Sequence, residues 1–183
     1  MRVQKTKFRI NLFLGTFLCT IAIFFNIFLL ASLRVENTVF TLILGTLCWF
    51  LLWFVTHDLA HFLVGMVAGV RFSHYYLGRS DIIKLIGVIP VPLKRMLIVL
   101  GLKIDRNRSR TSKVGFAVMY LAGPLASMLT PFAVPLTILL KDSTNVAGLL
   151  LLFVSIVNLV FTSWFSPRVG CISKARKYLA KHN

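Results

Sequence analysis

Residues 37–69 read NTVFTLILGTLCWFLLWFVTHDLAHFLVGMVAG, and this stretch decides the fold. No charged side chain occurs between Thr38 and Val55. About 20 apolar residues rising 1.5 Å each cross a hydrocarbon layer roughly 30 Å thick, so a run of this length and composition predicts a transmembrane helix. Three more runs qualify, Ile10 to Leu33, Val114 to Leu140 and Ser143 to Pro167. The chain is 57% hydrophobic and 14% charged over 183 residues, with a mean hydropathy of +0.83. A water-soluble domain of this size cannot hide so much apolar surface in its own core. The expectation is an all-α polytopic membrane protein, a single integral membrane domain with spans at about 10–33, 37–69, 114–140 and 143–167.

The basic residues are distributed unevenly around these spans. Of 21 lysines and arginines, four precede the first span, ten lie between Arg71 and Lys113, and five follow Pro167. Only Arg34 and Lys141 fall in the two alternate loops. Cytoplasmic loops carry such an excess, so both termini, the basic segment 71–113 and the basic tail 168–183 are expected in the cytoplasm. The net charge of +16 then reads as a topology signal and an attraction to anionic lipids rather than as nucleic-acid binding. The basic start at Arg2, Lys5, Lys7 and Arg9 also fits a secretory leader. The apolar run behind it is longer than a leader's core and ends without a small-residue cleavage pattern, so a retained span is expected.

Between the second and third spans, Ile82 to Leu93 and Met96 to Leu102 are apolar but broken by Pro90, Pro92 and the Lys94-Arg95 pair. Too short to span, they predict a short interfacial or re-entrant β-like segment. Lys103 to Lys113 reads as a solvated basic loop. Gly123-Pro124, Pro131 and Pro135 predict a third helix that is kinked or locally unwound, because proline removes a backbone hydrogen bond. That break is either ordinary proline tolerance in a membrane helix or a means of shaping a cleft.

The chemistry concentrates in Thr56-His57-Asp58-Leu59-Ala60-His61-Phe62. Helical spacing of four puts His57 and His61 on one face, one turn apart, where two imidazoles can hold one zinc ion. Asp58 occupies the position at which H-E-x-x-H metalloproteases carry the general base. Three ionisable residues within five positions of a membrane helix mark a functional site facing the bundle interior. The plainer reading ends the second span near Val55 and leaves the pair as structural groups at the interface. Glu36 and Asp142 lie at the opposite end by the charge topology, and Asp81 and Asp105 lie in the 71–113 segment. The end of the fourth span offers Cys171 or Asn158 as a third donor, and a His2Cys site from His57, His61 and Cys171 is open. Alternatively Cys171 is a free juxtamembrane thiol open to lipidation. Cys19 and Cys48 fall within spans as small apolar side chains, and no disulfide framework is implied.

These residues resemble the site-2 protease family of intramembrane zinc metallopeptidases, from the second span onward. His57-Asp58-Leu59-Ala60-His61 looks like the family's H-E-x-x-H helix, and Leu121-Ala122-Gly123-Pro124-Leu125-Ala126-Ser127 like its A-G-P-x-x-N stretch. Asn158 and Gly170-Cys171 sit where a last core helix carries an Asn and then the aspartate that is the third zinc ligand. The resemblance implies three core helices with the metal near the cytoplasmic face, and membrane-associated strands beside a substrate cleft. It also implies hydrolysis of a transmembrane substrate helix, with Zn2+ on His57, His61 and Cys171 and Asp58 as the catalytic base.

Asp58 stands in place of the family's glutamate, and Cys171 in place of its aspartate. These replacements motivate a second reading, a catalytically degenerate relative that binds membrane-protein partners or serves as an accessory subunit of a larger complex. A third reading makes His57 or His61 the axial ligand of a haem in a membrane subunit.

Overall fold

The computed structural model describes residues 8–79 and 98–180 of the chain. Among them, helices α1 (Leu12–Ser32) and α2 (Thr38–Val67) come first, preceded by strand β1 (Phe8–Asn11). Strands β2 (Arg71–Arg79) and β3 (Ile98–Asp105) follow, then α3 (Lys113–Leu129), a 3-10 turn at Thr130–Phe132 and α4 (Ala133–Lys141). Helices α5 (Val146–Val169) and α6 (Cys171–Leu179) complete the order.

Each long helix starts at a side chain that satisfies an otherwise orphan amide. Asn11 accepts from Phe13 N, Asn37 from Phe40 N, Ser112 from Gly115 N, and Asn145 from Ala147 N and Gly148 N. Helix α2 ends at Gly69, whose φ of +82° only glycine adopts readily, and Val70 N returns to Gly65 O at 2.8 Å. There a Cβ on Gly69 would also run into the Arg110 carbonyl.

Among the described residues, four helical units are long and apolar enough to cross a membrane: Leu12–Ser32, Thr38–Val67, Lys113–Lys141 and Val146–Val169. Their outward faces carry Phe13, Phe17, Phe24 and Phe28 on α1, Phe40 and Phe50 on α2, and Phe153 and Phe161 on α5, all exposed. Such a surface suits lipid and not water. The boundaries differ from expectation at the start of the first span, where Phe8 to Asn11 is strand, so the helix begins at Leu12 rather than Ile10. The fourth begins at Val146, because Asp142 binds Thr144 through backbone and hydroxyl and so forms a turn ahead of the Asn145 cap.

The third unit is broken as its prolines predict. Pro124 lies inside α3, Pro131 opens the 3-10 turn, and Pro135 sits in the first turn of α4, where its missing donor costs least.

Expectation and structure differ most in the sheet, since the chain is helical with a three-stranded antiparallel sheet of order β1-β2-β3 rather than all-α. Ile10 faces Tyr75 across one ladder and Leu102 faces Tyr75 across the other. Sequence reading found no strand before the first span because Phe8 to Asn11 is only four residues long and merges with the apolar run behind it. Ile82 to Leu93, expected to be extended, lies outside the described residues, as does the start of the Met96 to Leu102 run. Lys103 to Asp105 completes β3 instead of opening a loop. In place of a loose basic tail, residues 171–179 form α6, which lays Tyr178 over Phe116 and Tyr120 of α3.

Two packing centres hold the helices. Leu30, Cys48, Trp49, Leu52, Val134, Ile138 and Leu151 join α1, α2, α4 and α5. Trp49 Nε1 donates to Ser155 Oγ at 2.8 Å within this layer, satisfying a donor that lipid would leave orphaned. At its far end Lys141 Nζ donates to the carbonyls of Leu30, Ala31 and Leu33 at 2.9, 2.9 and 2.8 Å, closing the end of α1. One of the two basic residues outside the charge pattern is thus a helix cap. The second centre, Val70, Phe72 and Met119, ties the sheet to α3.

Candidate metal centre

Helix α2 is 30 residues long, about 45 Å at 1.5 Å per residue, and it continues unbroken past Val55. His57 and His61 therefore lie within it, about 15 and 9 Å before its last residue, and not at its end. Their rings face α3 and stand edge to face, with centroids 4.8 Å apart.

Both rings are held by one nitrogen. His61 Nδ1 lies 2.6 Å from the Met119 carbonyl, which can only accept, so Nδ1 carries the proton and Nε2 keeps its lone pair. His57 Nδ1 lies 3.1 Å from Ser127 Oγ, and that hydroxyl donates to the Pro124 carbonyl at 3.1 Å. With its proton committed there, Ser127 accepts from His57, and the same tautomer follows. Each Nε2 thus keeps a lone pair, that of His57 facing Cys171 Sγ, the arrangement that metal-binding histidines take when their other nitrogen is anchored.

Gly123 makes room for this. A Cβ at that position would collide with His61 Nε2 and approach Cδ2 and Cε1 at 2.6 Å. Gly123 is therefore the cradle of the His61 ring, and Pro124 beside it supplies the carbonyl that orients Ser127.

The third donor comes from the junction of α5 and α6. Pro167 lies in the last turn of α5, Gly170 N closes that turn onto Ser166 O, and Ile172 N bonds Ser166 Oγ as α6 begins. This corner brings Cys171 Sγ to 3.8 Å from His57 Nε2. Ligand atoms of His57, His61 and Cys171 all lie within 4.8 Å of one another, so the group can hold a metal ion. Tetrahedral zinc with bonds near 2.0–2.1 Å to nitrogen and 2.3 Å to sulfur needs donors roughly 3.3–3.6 Å apart. The widest donor spacing, 4.8 Å, exceeds that by about 1.2–1.5 Å, a distance that rotamer adjustments of the three side chains can close.

Asn158, the other donor the sequence leaves open, does not join the group. Its Nδ2 donates to the Ser127 carbonyl at 2.9 Å, and its Oδ1 receives Thr162 Oγ1 at 3.4 Å. It braces the segment that positions His57.

Asp58 is 5% exposed and lines, with His57, His61 and Cys171, a cavity of about 390 Å³. The Tyr75 phenol, fully buried against Gly15, meets Thr16 Oγ1 at 3.2 Å. Burial first, with smaller contributions from Cys19 and Asp58, pushes that phenol up to about 12 against the Thr16 hydrogen bond, so it stays neutral. Helix α1 thus packs against β2 through Gly15 and Thr16.

Sequence reading missed the anchoring roles of Ser127 and the Met119 carbonyl, and the place of Tyr120 and Lys174 in the cavity wall. Ser127 was visible within the Ala122-Gly123-Pro124 stretch. A backbone carbonyl such as that of Met119 carries no sequence signal at all.

The chain matches no known protein family, no curated protein and no solved structure.

Proposed function

We infer that the protein is an intramembrane metallopeptidase of the site-2 protease kind, cleaving a transmembrane protein substrate, with both termini in the cytoplasm. The observation that carries this reading is the convergence of His57, His61 and Cys171 beside a buried carboxylate, in a cavity among membrane-length helices. The donor set of two imidazoles and one thiolate suits zinc. A zinc ion held by Nε2 of both histidines and Sγ of Cys171 would supply Lewis-acid activation of water.

Asp58, which lines the same cavity, would accept a proton from a water there and return it to the leaving amine, with a reach one methylene shorter than glutamate's. Ser127 and the Met119 carbonyl hold the histidine tautomers, and Gly123 gives the His61 ring its space. Strand β3, whose Gly101 and Leu102 line the cavity, pairs only with β2 among the described residues. Among the described residues no strand pairs its other edge, where an extended substrate backbone, the state a helix must adopt before hydrolysis, would add as a further strand.

The test is cleavage of a model single-span substrate by protein reconstituted in vesicles. Cleavage that disappears in both Asp58→Ala and His57→Ala supports the reading, and cleavage that survives either substitution sinks it. A partner-binding relative without catalysis is the second reading, favoured by the thiolate that replaces an acidic third ligand. Bound metal without cleavage of any single-span substrate would favour it.

A further inference from the structure

A second, more open hollow of about 620 Å³ adjoins the metal cavity, and the two share Leu102, Ile104 and Tyr120 in their walls. The outer hollow is cationic. Lys103 and Arg106 line it, and both are exposed. Its one acidic side chain, Asp105, is engaged by Arg108, through Nε at 3.6 Å and through the backbone amide. Farther in, Lys174 lines the metal cavity one turn after Cys171, and the charges of both Lys174 and Arg106 reach Tyr120 at the partition.

We propose that this cationic hollow docks an acidic stretch of the substrate, next to its membrane span and on the side where the metal centre lies. This rests on the metallopeptidase reading for what happens at the inner end. A surface that served lipid phosphate alone would need no wall in common with a cavity among the helices, whereas a peptide running from water to the centre would pass Tyr120, which lines both hollows. Strand β3 advances about 3.3 Å per residue from Gly101, at the inner cavity, to Lys103 and on toward Arg106 at the outer hollow. An extended peptide lying along it would carry its acidic residues roughly two to five positions from the bond that faces His57 and Cys171. Charge complementarity of this kind selects partners and speeds encounter more than it adds affinity.

The experiment uses full-length Asp58→Asn protein in phosphatidylcholine vesicles containing phosphatidylglycerol. The probes are fluorescent peptides with one apolar span followed by an acidic, a neutral or a lysine-rich tail. The acidic probe is expected to bind about tenfold more tightly than the neutral one, the sum of a few exposed ion pairs. The preference should vanish in Lys103→Gln/Arg106→Gln and invert toward the lysine-rich probe in Lys103→Glu/Arg106→Glu. Equal binding of acidic and neutral probes, as when lipid phosphate occupies the hollow, overturns the proposal. So does a preference that both double variants retain. Cleavage by the wild-type protein is scored separately: a binding preference without cleavage removes the peptidase reading and leaves the docking site, and cleavage without a preference does the reverse.

Discussion

Gly123→Ala isolates the centre from the stability of the helix that carries it. In an ordinary helix interior this change is favourable by about 1 kcal/mol, because alanine loses less backbone freedom than glycine. Here the added methyl would approach His61 Cδ2 and Cε1 at 2.6 Å, while carbon contacts settle near 3.5–4 Å. The ring must retreat by about one ångström. Retreat stretches the 2.6 Å bond from Nδ1 to the Met119 carbonyl past the usual limit of about 3.2 Å. Losing such an anchor weakens metal binding by roughly 10- to 100-fold, or about 1.4–2.8 kcal/mol, more than the helix gains. Zinc competition against a chromophoric chelator in detergent measures this directly, with thermal unfolding of metal-free protein alongside. The metal-free midpoint should change little, because the lost Nδ1 hydrogen bond offsets the helix gain of about 1 kcal/mol, while affinity falls. Gly148→Ala, whose methyl would meet Leu139 at 2.9 Å far from the centre, should lower the midpoint and leave zinc affinity unchanged. Wild-type affinity in Gly123→Ala would refute the cradle argument.

Ser127→Ala removes the acceptor for His57 Nδ1 and should weaken zinc binding roughly 10-fold in the same titration, with Ser127→Thr recovering most of it. Lys141→Met keeps the aliphatic stem but loses three donations to the end of α1, which should cost about 1 kcal/mol and lower the thermal midpoint, with no change in metal affinity. His74 titrates below its ordinary value near 6.5, first through burial and then through Arg9 and Lys103 on the neighbouring strands. A lowered folded value means the unfolded chain takes the proton first, so stability is full above 6.5 and declines as the pH falls below it. Denaturant titrations across that range should show a shallower decline in His74→Gln, and an unchanged slope would remove His74 from the account.

The helices were legible because lipid imposes one rule, twenty apolar residues between caps, and the sequence obeys it at Asn37, Ser112 and Asn145. The break at Pro131 and the spacing of His57 and His61 were legible for the same reason, since both are local. Pairing of Phe8 to Asn11 with β2 was not, because a four-residue strand is specified by a partner more than sixty positions away. The choice between Cys171 and Asn158 depended on the corner at Ser166 to Gly170, which turns one side chain toward His57 and leaves the other behind Ser127. No periodicity encodes that corner.

Zinc K-edge absorption of the purified, zinc-loaded protein tests the centre most directly. The account predicts one metal per chain, two nitrogens at about 2.0–2.1 Å and one sulfur at about 2.3 Å, with the sulfur scattering lost in Cys171→Ser. A chain that binds no zinc, or zinc whose shell contains no sulfur, would contradict it.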